Sequence, residues 1–319
     1  MRRILAIHTG GTISMSSHDG VVSTNEKNPL TYQDTANMGV ILDEIYPLQK
    51  PSPHITLHDM NMLREIILSE SANYEGFVIT HGTDTLEETA YFLDLTLNIE
   101  APVVVTGAMR SSNEIGSDGL YNYITAVRVA GDTQSEARGT LVVFNDEIHA
   151  ARYVTKTHTS NIATFQSPNR GPVGFLTKDK VMYHHMLYPQ DYLEHFDSDI
   201  KVGIVKAYAG LDNVYFDALV RAGYDGLVLE ALGQGNMPPS ALDGLERCLA
   251  ASMKVVLVSR SFNGVVGKYY DYVGGGYNLA ERNVIFSNGL NGQKARIALG
   301  LALSNTDDHE EIRLLFEKV

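Results

Sequence analysis

Short apolar runs alternate with amphipathic stretches along nearly the whole chain, and few architectures accept that rhythm. Residues 4–8, 55–58, 77–80, 103–106 and 141–144 read as strands. Between them lie segments of helical period, the clearest carrying Leu86, Ala90, Leu93 and Leu97 at spacings of 4, 3 and 4. Strands that alternate with helices predict a parallel sheet with helices on both faces. A second block repeats the pattern, with strands at 202–205, 226–229 and 255–258 and helices around 216–222, 241–251 and 294–303. The stretch 183–198 is rich in His, Tyr, Asp and Pro without sustained period, which marks a linker. The expected fold is α/β, built as two α/β domains. A larger N-terminal doubly wound sheet occupies residues 1–185, a linker 186–200, and a smaller C-terminal α/β domain 201–319.

Composition narrows the partners. With 319 residues, 44% of them hydrophobic and 20% charged, the chain can bury substantial cores without covalent staples. One cysteine, Cys248, leaves no internal disulfide, and its helical surroundings read as those of a buried, inert thiol. The net charge is −13 with no long basic run. Nucleic acid and an anionic membrane surface, which both need a positive patch, are therefore not expected as partners. The apolar run after Met1-Arg2-Arg3 is too short for a signal sequence. No apolar stretch is long enough to span a bilayer, and the expected compartment is the cytoplasm.

In a doubly wound sheet ligands bind beyond the carboxyl ends of the strands, so the residues that follow each strand carry the chemistry. After the first comes Thr9-Gly10-Gly11-Thr12-Ile13. Its glycines permit a tight turn and close backbone approach, and leave the Thr12 hydroxyl on a fixed support. No phosphate-loop pattern accompanies it. After the third comes His81-Gly82-Thr83-Asp84-Thr85, opening a helix. One of Thr83, Asp84 and Thr85 would serve as the helix cap. A second hydroxyl with a carboxylate beside it exceeds what capping needs. His81 reads as a packed histidine. A hydroxyl is a weak nucleophile until something takes its proton, which calls for Asp84 and a lysine that spacing alone does not single out. Two long loops stand out: 14–29, in the position of a functional lid, and 261–277, whose Gly274-Gly275-Gly276 reads as a turn.

Taken together, Thr9-Gly10-Gly11-Thr12-Ile13 and the run Gly76-Phe77-Val78-Ile79-Thr80-His81-Gly82-Thr83-Asp84-Thr85-Leu86, about seventy residues on, closely resemble the paired signatures of bacterial-type L-asparaginases. The similarity continues through Thr106-Gly107-Ala108-Met109-Arg110-Ser111, Ser117-Asp118-Gly119, Thr155-Lys156-Thr157 and Ser167-Pro168-Asn169. In the second block it includes Gly233-Gln234-Gly235-Asn236 and Asn291-Gly292-Gln293-Lys294-Ala295-Arg296.

The resemblance implies hydrolysis of asparagine to aspartate and ammonia without metal or cofactor. Thr12 would attack the side-chain amide, and Thr83, Asp84 and Lys156 would form an activating relay. Gly82 would lie in the substrate site, Asp84 would engage the substrate's amino group, and the Ala108 carbonyl its amide nitrogen. It also implies a homodimer or homotetramer in which a neighbour's Asn236 completes the site. Two departures concern substrate recognition. Asp19-Gly20-Val21-Val22 stands where relatives carry a tyrosine, with Tyr32 further on, and Thr56-Leu57-His58-Asp59-Met60 puts Leu57 where a carboxylate-binding serine is expected. His58 or Thr56 is the expected replacement, with Asp59 beside them in the substrate site. The competing readings are a glutamine-preferring or dual amidase, an ammonia-supplying amidotransferase subunit, and a non-catalytic amino-acid-binding protein.

Overall fold

The computed structural model describes residues 1–18, 21–24, 39–187, 191–287 and 289–318, with backbone alone for 14–18 and 21–24. The chain divides into two compact units, Met1–Pro189 and Gln190–Val319.

The first unit opens with strand β1 (Arg2–His8), a short ribbon of β2 (Met15–His18) and β3 (Val21–Thr24), and β4 (Val40–Ile45). Helix α1 (Leu57–Glu70), β5 (Gly76–Thr80), α2 (Leu86–Thr96), β6 (Val103–Thr106), α3 (Gly119–Gly131) and β7 (Thr140–Phe144) follow. The unit closes with β8 (Glu147–Ala150), β9 (Thr155–Lys156), β10 (Phe165–Gln166), β11 (Gly174–Leu176) and β12 (Val181–Tyr183). Eight of these strands form one sheet in the order β12-β11-β8-β7-β6-β5-β1-β4. From β4 to β7 the neighbours are parallel. Ile4, Ala6, Val78, Val104 and Leu141 pack with Tyr123, Ala126, Val127 and Ala130 of α3. The intervening Leu5, Ile7, Phe77, Ile79 and Val142 are equally buried. Both faces are thus covered, which is why these strands read as continuous apolar runs.

Three expectations change. The sheet is mixed, because β8, β11 and β12 run antiparallel at one edge. The reversal comes from Asn145 and Asp146, both with positive φ (49° and 63°), the conformation of a tight two-residue hairpin that these residue types tolerate. The segment 55–58 is not a strand. Thr56 caps α1, its hydroxyl accepting the Asp59 N–H at 3.3 Å while the Asp59 carboxylate accepts the Thr56 N–H at 2.9 Å. This reciprocal capping box selects helix, against the apparent apolar–polar alternation. The strand at that point is β4 instead, at the sheet edge. Of the loop expected at 14–29, the described part is the β2–β3 ribbon, in which His18 pairs with Val21; residues 19–20 and 25–29, and Tyr32, lie outside the described residues.

The second unit contains β13 (Val202–Lys206), α4 (Val214–Arg221), β14 (Gly226–Ala231), α5 (Leu242–Ala250), β15 (Lys254–Ser259), α6 (Gly276–Ala280), β16 (Ile285–Phe286), α7 (Gly292–Asn305) and α8 (His309–Glu317). Its four strands form a parallel sheet in sequence order. Leu227 and Leu229 face Phe216, Leu245 and Cys248 of α4 and α5, while α7 packs on β13, β14 and β15. Cys248 is fully buried and burial pushes its thiol up to about 11, as its inert setting implied. In the glycine run, Gly275 donates to the Tyr272 carbonyl in a turn and Gly276 opens α6.

Candidate active site

Strand order places the site. The chain leaves β1 to one side for β4 and returns on the other side for β5, so the sheet changes direction of winding between β1 and β5. Crevices in open α/β sheets form at such a point. The two strands pair in register up to His8 and Thr80, so the turns carrying Thr12 and Thr83 leave the sheet side by side.

Two glycines let these turns meet. Gly11 has φ +82°, and a Cβ there would stand 2.4 Å from Gly82 Cα. A Cβ on Gly82 would stand 2.8 Å from Ser52 Cβ and Oγ. Three chain segments are therefore stacked at backbone contact, which side chains at either glycine would prevent. Around them opens a cleft of about 230 Å³ lined by Gly11, Thr12, Pro51, Ser52, Pro53, Gly82, Thr83, Asp84, Met109, Lys156 and Thr159. A more open recess of about 320 Å³ is lined by Asp84, Lys156, Thr157, His158 and Thr159.

Polar contacts at the cleft are specific. Lys156 Nζ donates to Thr83 Oγ1 at 2.9 Å and to Asp84 Oδ1 at 2.7 Å. Thr83 is buried and the Lys156 side chain is 16% exposed, whereas Asp84 is 59% exposed at its side chain. The lysine is placed by the β9–β10 ribbon, in which it pairs with Phe165. That phenylalanine stacks on Phe144 at the end of β7, and Thr155 donates to Glu87 of α2 at 3.1 Å. The Asp84 N–H donates to Ser52 Oγ at 3.2 Å and the Thr85 hydroxyl to the Ser52 carbonyl at 2.8 Å. Thr85 stands at the N-cap position before α2, with its hydroxyl on the Ser52 carbonyl and not on the helix, so the Thr83 and Asp84 side chains are not the N-cap.

His81 is packed, as its setting suggested. It is fully buried, with Nδ1 2.8 Å from the Gly82 carbonyl and Nε2 2.9 Å from Thr89 Oγ1. Desolvation lowers its pKa to about 4, only partly opposed by the Gly82 carbonyl, so a neutral ring with Nδ1–H donating satisfies both contacts.

Thr12, Gly82, Thr83, Asp84 and Lys156 thus line one cleft. Ala108 is fully buried immediately before the lining residue Met109. His58 and Asp59 fall on the first turn of α1. The Asp59 carboxylate is occupied by Lys50 at 2.7 Å and by Thr56, and His58 is exposed. Asn236 belongs to the second unit, where its backbone pairs with Leu232 after β14 and its Oδ1 accepts the Gly276 N–H at 3.2 Å. The residue that sequence reading missed is Ser52, 4% exposed, in a short helical turn between two prolines. Placing the second strand at 55–58 instead of Val40–Ile45 put Ser52 before a strand instead of after one, and hid it.

Comparison with known proteins identifies the family. Residues 3–188 match the N-terminal asparaginase domain family and residues 201–316 the glutaminase/asparaginase C-terminal domain family. The chain belongs to the asparaginase family. It is 40% identical over 98% of its length to a probable L-asparaginase of Deinococcus radiodurans, 97% of which is covered. It is 36% identical over 95% of its length to an L-asparaginase of Bacillus licheniformis, 96% of which is covered. Its structure is similar to that of a probable cytoplasmic L-asparaginase from Campylobacter jejuni, with a TM-score of 0.89, 32% identity and 99% of each chain covered.

Proposed function

We propose that this protein hydrolyses L-asparagine to L-aspartate and ammonia, with Thr12 as nucleophile. The observation that carries the reading is that Thr12 and Thr83 line one cleft, with a lysine–carboxylate pair in which the lysine bonds the Thr83 hydroxyl. Binding alone has no use for that combination, which favours an enzyme over an amino-acid-binding protein.

In the proposed reaction the substrate's amide carbon lies against Thr12 Oγ. The Thr12 proton passes by way of the Thr83 hydroxyl and Lys156 to the departing nitrogen, which leaves as ammonia. Lys156 suits this role because it touches Thr83 Oγ1 at 2.9 Å and is fixed by Asp84 on its other side. Water then attacks the resulting ester, its proton returns through the same groups to Thr12 Oγ, and aspartate departs. Backbone N–H groups at Thr12 and Thr83 polarise the amide oxygen, a role worth roughly 3 kcal/mol per donor in such sites. Asp84 takes the substrate's ammonium, and the Ala108 carbonyl takes an N–H of the amide. Recognition of the substrate carboxylate passes from His58 to Ser52, whose Oγ accepts the Asp84 N–H and keeps its own proton to donate. A cytoplasmic homodimer or homotetramer with a neighbour's Asn236 at the site completes the proposal. Among the described residues no helix is long and apolar enough to cross a membrane.

Ammonia release from L-asparagine, D-asparagine and L-glutamine tests this reading. The expected order places L-asparagine first. One methylene changes binding by only about 1–3 kcal/mol, so measurable glutamine turnover is compatible, whereas higher kcat/KM for glutamine would transfer the assignment to a glutaminase.

A further inference from the structure

The end of β1 carries a second constellation, just below the cleft, which the proposed reaction does not use. His8 is 2% exposed and precedes Thr12 by four residues. Its Nδ1 is 2.8 Å from Thr80 Oγ1, and its Nε2 faces Glu44 Oε1 at 3.6 Å. The ring stacks on Tyr46 at 4.7 Å and leans on Tyr123 at 5.7 Å. Both phenols donate to the same Glu44 carboxylate, Tyr123 at 2.8 Å and Tyr46 at 2.9 Å.

An imidazole in this place is an expensive way to fill space. The neighbours on the same face of the sheet, Ile4, Ala6 and Val78, are apolar. The His8 Nε2 atom lies 3.6 Å from Glu44 Oε1, too long for a good hydrogen bond, so the buried ring is only loosely satisfied on that side. What the histidine gains is its contact with Thr80. That residue is the last rung of the β1–β5 ladder and stands three residues before Thr83. Its carbonyl accepts the Thr9 N–H at 3.1 Å and the Thr9 hydroxyl at 2.9 Å. With His8 on its hydroxyl, Thr80 ties the root of the Thr12 turn to the root of the Thr83 turn through both its backbone and its side chain.

We propose that His8, caged by Glu44, Tyr46 and Tyr123, is a positioning residue that acts through the Thr80 hydroxyl to set the separation of the Thr12 and Thr83 hydroxyls. The inference rests on the asparaginase reading above. It touches no reacting atom. Its leverage is geometric, since a misplacement of about 1 Å at a reacting centre costs roughly 100-fold in rate.

The test compares Thr80→Val, which is isosteric and removes only the hydroxyl, with Thr80→Ser, which keeps it, and with His8→Leu. For each, kcat and KM for L-asparagine are measured beside thermal unfolding. Thr80→Val and His8→Leu are expected to lower kcat roughly 10- to 100-fold while KM stays within about twofold, and Thr80→Ser recovers most of the lost kcat. If the wild type turns over asparagine and folded Thr80→Val keeps its kcat, or Thr80→Ser is as impaired as Thr80→Val, the contact serves folding alone and the inference fails. An inactive wild type would overturn the assigned reaction instead. Should His8→Leu not fold, the two Thr80 variants decide the question.

Discussion

Lys156 Nζ reaches Thr83 Oγ1 over 2.9 Å from a strand 73 residues further along the chain. Thr83 is buried and Lys156 nearly so, so the contact is shielded from bulk water on one side and open to the cleft on the other. Lys156→Met keeps the length of the side chain and removes its nitrogen. Proton-transfer groups contribute roughly 100- to 10,000-fold to rate, and a fall in kcat of that size with a much smaller change in KM is expected from steady-state kinetics. A rise in KM at undiminished kcat would make Lys156 a binding group.

Ser52 is expected to act on the other side of the balance. A hydrogen bond to a charged partner is worth about 1.5–3 kcal/mol, so Ser52→Ala should raise KM for asparagine roughly 10- to 100-fold with a smaller effect on kcat. His58→Ala, on the exposed face of α1, should leave KM near the wild-type value. The reverse pattern would restore carboxylate recognition to the helix.

Gly11→Ala tests whether backbone contact builds the site. The left-handed φ alone strains an alanine by about 1–3 kcal/mol, and its Cβ would stand 2.4 Å from Gly82 Cα. A lower melting temperature together with loss of turnover is expected. Wild-type stability and activity would show that the two turns are not pressed together in solution.

His81 makes stability depend on pH in a defined window. Its folded pKa, about 4, lies below the ordinary 6.5. As pH falls below about 6.5 the unfolded chain takes up the proton first, so this residue favours unfolding progressively down to about pH 4 and is neutral in effect above 6.5. The full loss is about 3 kcal/mol. Denaturant unfolding at pH 7.5 and pH 5 should show part of it in the wild type, and His81→Gln should flatten the difference. An unchanged slope in the variant would mean that the fold does not lower the His81 pKa.

Much of the architecture was legible because burial on both faces writes itself into sequence. Residues 103–105 and 227–229 are continuous apolar runs, and the strands that carry them have parallel neighbours on both sides. Val40–Ile45 was harder to see, since an edge strand carries Asp43 and Glu44 among its apolar residues. Thr56–Asp59 misled because a capping box and a short alternating strand use the same residue types, and only the reciprocal hydrogen bonds tell them apart. The two threonine turns were legible from their glycines. Ser52 was not, because its role depends on Gly82 lying against it, a contact between segments 30 residues apart. The His8–Thr80 contact likewise exists only once β1 and β5 are paired in register.

The most direct test of the account is to quench asparagine turnover with acid and map the protein by mass spectrometry. The account predicts one aspartyl group esterified to the peptide that contains Thr12, and its absence, together with loss of ammonia release, in Thr12→Ala. An ester on the Thr83 peptide, or undiminished ammonia release by Thr12→Ala, would contradict it.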